Sequence, residues 1–555
     1  MSHPLFERHR ATLDAALVAI RERGYWSAYP EMPSPRAYGE TAAADGQAAF
    51  EAHLNTAFEL DQPGTVGRVG RERSPFGFDL GITYPRADVD VLLPAMQAAM
   101  PAWRRLGAEG RAGVCLEILA RLNRKSFEIA HAVQHTTGQA FMMAFQAGAP
   151  HAQERGLEAV AYAYRAMTEQ VPSALWEKPQ GKQDPLRMEK TYTVMPRGVG
   201  LVIGCCTFPT WNGYPGLFAS LVTGNAVLLK PHAGAVLPMA ITARVCREVL
   251  AEQGLDPNLV ALAVNEPGSP LASTLALRPE VRIIDFTGST ANGDWLERNA
   301  TQAVVYTEKA GVNSVVIDST NDFKGLVRNL AFSLALYSGQ MCTAPQNLYI
   351  PRDGIDTEDG HKRFDEVAQA LAAGVDKLLG DTARAVEVLG AIQNEGVVRR
   401  LESAAELGRV VLASRAIEHP QFPAATVRTP VLLALDAARD EAVFTHEHFG
   451  PIAFCIATDG TAQSIELCKR VIQQHGAITA AVYAADAAVI EAMREAMLDA
   501  GVALSENLTG GVFVNQSAAY SDFHATGANP AANAALTDSA FVANRFRVVQ
   551  SRRHV

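Results

Sequence analysis

An α/β fold built on a mainly parallel sheet is the architecture this sequence predicts, and three observations carry it. From residue 198 onward, short β-rich runs alternate with helical stretches, the pattern of strand, crossover and next parallel strand. A second block of the same kind begins near Gly311. The 555 residues leave room for two large domains, each with its own core.

The elements follow in order. Residues 11–23 show helical spacing ended by Gly24, and Pro/Gly-rich stretches at 29–39 and 63–81 make the first 85 residues an elaborated lead-in. Apolar residues then recur at helical intervals through 89–106, 114–122 and 129–145, so helices precede the first core strand and should pack on a sheet. Core strands are predicted at 199–204, 226–230, 260–264, 282–286 and 304–306. The second block opens with Ser314-Val315-Val316-Ile317, continues through helices at 326–337 and 361–379, and places later strands at 478–483 and 511–514. The polar, extended run 180–197 reads as a projecting hairpin, and 525–538 is rich in small residues.

Composition excludes some function classes. A net charge of -10 with no dense Lys/Arg tract argues against nucleic acid or an anionic membrane as the main partner. The seven cysteines are scattered, odd in number and without paired metal-ligand spacing, which suits a reducing cytoplasm. The first ten residues carry no apolar signal core, and the apolar run 198–219 is broken by Pro209, Asn212 and Pro215, so neither secretion nor a membrane span is expected.

The residues suggestive of chemistry lie in five places. The turn Thr287-Gly288-Ser289-Thr290-Ala291-Asn292-Gly293 stands between a strand and a helix, where free backbone amides can cradle a diphosphate. It reads equally as a plain helix cap, and it matches neither a Walker loop nor a full GxGxxG fingerprint. Cys342, in Gly339-Gln340-Met341-Cys342-Thr343, would be a packing thiol if it stood alone. Upstream stand Phe208-Pro209-Thr210-Trp211-Asn212 with Leu228-Leu229-Lys230-Pro231, then Thr307-Glu308-Lys309-Ala310-Gly311. Downstream stands His446-Glu447-His448-Phe449-Gly450-Pro451, whose two histidines lack a third-ligand motif, so no metal is expected.

In this order the motifs resemble those of the aldehyde dehydrogenase superfamily, over residues 88–547. The resemblance implies a Rossmann-like cofactor domain with an N-terminal extension (1–180 and 198–310), an α/β catalytic domain (311–515) and oligomerisation elements (181–197 and 516–555). It implies Cys342 as a low-pKa nucleophile, Asn212 as oxyanion donor and Glu308 as the base that activates water against a thioester. It also implies that Lys230, Gly288, Ser289, Gly293, Glu447 and Phe449 contact a nicotinamide dinucleotide, that the substrate is a small aldehyde, and that the protein is a homodimer or higher homo-oligomer.

Three departures from the family pattern stand out. Lys309-Ala310 replaces the usual Leu-Gly after the glutamate, and Thr210 replaces the proline before Trp-Asn. Ala233 stands where NAD-preferring relatives carry a ribose-binding glutamate, which removes a charge that would repel a 2′-phosphate; this favours NADP and leaves NAD open. The N-terminal Phe6-Glu7-Arg8-His9 and Gly24-Tyr25-Trp26-Ser27, with Tyr337-Ser338-Gly339, look like the PaaN-type phenylacetic acid degradation family, similar to the dehydrogenase part of PaaZ. That resemblance implies oxidation of 3-oxo-5,6-dehydrosuberyl-CoA semialdehyde to the acid. A CoA-acylating dehydrogenase, an oxepin-CoA ring-opening hydrolase and a non-catalytic scaffold are the alternative readings.

Overall fold

The structure, a computed structural model, describes residues 3–309 and 311–555. Its first sheet has five parallel strands in the order Val260–Leu262, Ala226–Lys230, Val199–Ile203, Val281–Thr287 and Val304–Glu308. The central strand Val199–Ile203 is buried along its whole length, as a parallel strand covered by helices on both faces must be. Its apolar run is therefore continuous rather than alternating.

The second sheet has seven strands, in the order Arg409–Leu412, Val431–Asp436, Ile452–Thr458, Asn347–Pro351, Ser314–Ile317, Thr479–Tyr483 and Ala503–Glu506. All neighbours run parallel except the edge strand Arg409–Leu412, which makes the sheet mixed. A third, antiparallel sheet joins the hairpin arms Ser173–Gln180 and Gln183–Pro196 to the C-terminal strand Phe546–His554. Among the described residues no helix is long and apolar enough to cross a membrane.

Several local expectations change. The first helix runs Pro4–Glu22, because the His3 imidazole accepts the Leu5 N–H and Pro4 fits the first turn; Arg23, at φ 59°, ends it in place of Gly24. The hairpin starts at Ser173, so 183–196 is only its second arm, and Pro172 and Pro179 obscured the first. Residues 511–514 are not a strand: the turn at Gly510, φ 67°, precedes them, and the edge position belongs to Ala503–Glu506. The lead-in is also less peripheral than its composition suggests. Leu5, Phe6, Leu13, Ala16 and Ile20 share one apolar core with the five-stranded sheet.

Buried acids fasten that lead-in to the far end of the chain. Glu154, on the helix Pro150–Thr168, accepts the Ala28 and Tyr29 N–H groups at 2.6 and 2.8 Å and the Tyr520 hydroxyl at 2.6 Å. One turn on, Glu158 accepts from Arg155 at 2.7 Å and from the Tyr520 N–H at 3.0 Å. A carboxylate this deep is tolerable only because donors surround it.

Candidate active site

Cys342 sits on a turn that the backbone holds in an unusual shape. After the helix Phe323–Ala335, Tyr337, Ser338 and Gly339 adopt positive φ of 53°, 49° and 62° in succession. Side chains lock that shape: the Tyr337 hydroxyl donates to the Thr137 carbonyl at 2.6 Å, and Ser338 Oγ donates to the Leu389 and Arg428 carbonyls at 3.2 and 3.1 Å. Gly339 lies against the loop that carries Glu447 and Phe449, since a β-carbon there would stand 2.3 Å from the Gly450 carbonyl oxygen. Only glycine permits that approach.

Asn313 clamps the other side of the turn. Its Nδ2 donates to the carbonyls of Cys342 and Ala344 at 2.7 and 3.0 Å, and its Oδ1 accepts the Ile478 and Thr479 N–H groups at 3.0 and 3.1 Å. All four of its hydrogen-bonding positions are used, so this buried amide is fully satisfied while it ties the Cys342 turn to the seven-stranded sheet.

Asn212 comes from the first turn of the helix Pro209–Val222, which follows the central strand of the five-stranded sheet. Thr210 explains its own departure from the family pattern, since its hydroxyl donates to the Gly148 carbonyl at 2.7 Å and pins that helix start. Asn212 Oδ1 accepts from the Cys205 thiol at 3.6 Å, and Nδ2 donates to Glu308 Oε2 at 2.9 Å. Glu308 ends the strand Val304–Glu308 and is buried. A narrow cavity of about 20 Å³, room for one water, adjoins Glu308 between Val202, Gly213, Thr307 and Leu536.

A residue absent from the motif reading completes the cluster. His524 Nε2 lies 3.0 Å from Glu308 Oε1 and 3.5 Å from Cys342 Sγ, and the ligand atoms of Cys342, Glu308 and His524 all fall within 4.8 Å of one another. Burial would raise the Glu308 carboxyl, but the His524 imidazole and the hydrogen bonds from Cys342 and Asn212 outweigh it and hold the group below its ordinary value. The thiol goes the other way. Burial first, and then the Glu308 carboxylate, push Cys342 well above the ordinary thiol range. The expected low-pKa thiolate is thus corrected for this arrangement: its neighbours favour the neutral thiol.

The expected cofactor residues occupy two regions. Lys230 ends the strand Ala226–Lys230, buried, with no hydrogen bond or ion pair to its ammonium among the described residues; desolvation draws it down to about 8. Gly288 donates its N–H to the Glu308 carbonyl at 3.0 Å, and Ser289 caps the helix Thr290–Asn299 by accepting the Asn292 N–H at 3.4 Å. Gly293, one turn in, faces the Lys309 side chain, where a β-carbon would come within 2.5 Å of it. Lys309 pairs with Asp294 at 2.9 Å and Glu297 at 3.3 Å, which gives that departure a structural role; Ala310 lies outside the described residues.

On the opposite side, burial pushes the Glu447 carboxyl up to about 7 against the pull of the Gly311 backbone and Arg400. The Phe449 carbonyl accepts from Arg400 at 2.9 Å. Neither His446 nor His448 joins the cluster: their ring nitrogens meet the carbonyls of Ala442 and Val443.

Residues 83–521 match the aldehyde dehydrogenase family. A crystal structure of an NAD-dependent aldehyde dehydrogenase from Burkholderia multivorans is 63% identical, with a TM-score of 0.99 over 100% of both chains. The N-succinylglutamate 5-semialdehyde dehydrogenase of Burkholderia lata is 28% identical over 379 residues, which cover 66% of this chain and 71% of that protein. The 1-pyrroline-5-carboxylate dehydrogenase from Thermus, solved with bound NAD, is 19% identical and shares the fold, with a TM-score of 0.73 over 96% of this chain and 99% of that one.

Proposed function

The chain belongs to the aldehyde dehydrogenase family, and on that premise we propose that it oxidises an aldehyde to a carboxylic acid through a thioester on Cys342. The observation that carries this is the convergence of thiol, amide and carboxylate: Asn212 Nδ2 stands 2.9 Å from Glu308, whose other oxygen shares His524 with the Cys342 sulfur.

The sulfur attacks the aldehyde carbon, and the oxygen so charged is stabilised by the Cys342 N–H and by Asn212. One N–H of the Asn212 amide is engaged by Glu308, and the second is the donor available to that oxygen. A bound nicotinamide dinucleotide supplies the hydride acceptor. Glu308, its carboxyl held below the ordinary value, takes a proton from the water that cleaves the thioester. Retention of this carboxylate favours hydrolysis over transfer to CoA.

The residues present fit a dinucleotide. Lys230 is a buried cation without a partner among the described residues, and the Ser289-capped helix presents its N-terminus beside Gly288. Ala233 in place of a carboxylate lets a 2′-phosphate approach, which supports NADP; the name of the Burkholderia multivorans relative supports NAD, and the site accepts both in this reading. Exposed Leu175, Leu186, Val548 and Val549 on the antiparallel sheet support assembly of copies through it.

The narrower reading is a PaaN-type enzyme that acts on a CoA-linked semialdehyde from phenylacetate breakdown, supported by the N-terminal motifs. A screen of NAD and NADP reduction with free and CoA-linked semialdehydes tests both levels. Activity on a CoA-linked semialdehyde, with the acid as product whether or not free CoA is added, and loss of activity in Cys342→Ala, is the expected result. Activity kept by Cys342→Ala contradicts the nucleophile, and an acyl-CoA product formed only with added CoA contradicts hydrolysis.

A further inference from the structure

We propose that Cys342, Glu308 and His524 form a binding site for one zinc ion, and that the ion inhibits the enzyme by holding its nucleophile. The binding stands on the geometry alone, and the inhibition rests on Cys342 being the nucleophile. Among the described residues these three are the one group of Cys, His, Asp or Glu side chains whose ligand atoms all fall within 4.8 Å of one another. Tetrahedral zinc with ordinary bond lengths sets its nitrogen and oxygen ligands about 3.3 Å apart, and its nitrogen and sulfur ligands about 3.6 Å apart. Here His524 Nε2 stands 3.0 Å from Glu308 Oε1 and 3.5 Å from Cys342 Sγ. Two edges of such a tetrahedron are thus already near their final lengths. One thiolate, one imidazole and one carboxylate suit zinc, whereas magnesium and calcium take oxygen ligands.

The surroundings hold these ligands in place. Asn212 Nδ2 donates to the other carboxylate oxygen of Glu308 at 2.9 Å, which leaves Oε1 to the metal. The His524 N–H donates to the Leu536 carbonyl at 3.1 Å and the Leu536 N–H donates back at 2.8 Å, while the imidazole meets the Trp211 ring edge-on with centroids 4.6 Å apart. Glu308 and His524 are buried and Cys342 is half-buried, so the sulfur side is the open one. On binding, the S–H bond breaks and its proton leaves to solvent as the zinc–sulfur bond forms, because a coordinating thiol ionises outright. Nε2 gives up the proton it donates to Glu308, and the ring stays neutral with its proton on Nδ1. Thiolate, carboxylate and neutral imidazole then cancel both charges of the ion, so the loaded site carries no net charge into the interior. A fourth position is left to water. The sulfur can no longer attack an aldehyde, and Glu308 can no longer take a proton from water.

The test is equilibrium dialysis of the protein against zinc chloride, without dinucleotide or aldehyde, with bound metal counted by plasma mass spectrometry. The wild type should hold one zinc per subunit, and His524→Gln and Cys342→Ala should each bind it at least about 100-fold more weakly, the upper end of what loss of an outer partner costs. Cobalt(II) in place of zinc should give a sulfur-to-metal charge-transfer band in the wild type, a signal that depends on no variant folding. No zinc on the wild type, equal affinity in wild type and either variant, or cobalt bound without that band would overturn the site. Aldehyde oxidation by the wild type should be lost at one equivalent of zinc and restored by EDTA. Zinc bound with the site's sulfur signature while full activity persists would overturn the inhibition, and it would do so by removing Cys342 as nucleophile rather than as ligand.

Discussion

Lys230 shows how a single side chain can be read physically. A lysine side chain this buried, with no counter-charge beside it, is costly to keep ionised, and desolvation brings its pKa down to about 8. In the free protein it is therefore charged below that pH and loses its charge as the pH rises through it. A 2′-phosphate keeps its charge over the same range, since its second ionisation lies near 6. NADP affinity should accordingly weaken as pH climbs through about 8, more steeply than NAD affinity, and Lys230→Met should flatten the difference. Calorimetric titration of both dinucleotides at several pH values checks this; parallel pH profiles would contradict it. The motifs made Lys230, Asn212, Glu308 and Cys342 legible because each sits next to an element end whose pattern is itself readable. His524 was not, since it lies in a small-residue loop 182 positions beyond Cys342 and no spacing rule links them. The HxH pair drew attention for its spacing, yet geometry left it on local carbonyls.

At the scale of elements, the nucleophile turn is the feature on which the site depends. Its three successive left-handed residues are a conformation that ordinary side chains resist, and Asn313, Tyr337 and Ser338 hold it by hydrogen bonds to the seven-stranded sheet and neighbouring loops. Gly339→Ala would place a β-carbon on the Gly450 carbonyl as well as straining φ, at a cost of roughly 1–3 kcal/mol. A lower melting temperature and slower Cys342 alkylation should appear together. Gly360→Ala, also at positive φ but with open space around it, should leave the alkylation rate unchanged. Equal effects of the two substitutions would contradict the close approach. The strands of the five-stranded sheet were readable because burial on both faces leaves continuous apolar runs, as in Val199–Ile203; in the seven-stranded sheet only Ser314–Ile317 and Thr479–Tyr483 were. The hairpin arm Ser173–Gln180 was not, because it is largely solvated and carries Pro179, so neither apolar runs nor clean alternation announces it.

Across the whole molecule, the cluster of Asn212, Glu308, Cys342 and His524 is assembled from both sheets and from the chain's far end. Asn212 and Glu308 come from the five-stranded side, Cys342 from the turn before the strand Asn347–Pro351, and His524 from the segment that Tyr520 anchors to Glu154 and Glu158. Glu154 also holds residues 27–29, so the N-terminal lead-in braces the loop that presents His524. Such long-range joins leave no local pattern, which is why the lead-in read as an appendage. Covalent catalysis by Cys342, with Glu308 as the base that clears the thioester, is tested most directly by one rapid-quench experiment on Glu308→Gln. With an aldehyde that the wild type oxidises, reduced dinucleotide should appear in a single burst of about one equivalent per subunit and then stall, and intact mass should rise by one acyl group lost on Cys342→Ala. Continued turnover at the wild-type rate, or a burst with no acyl group on Cys342, would contradict it.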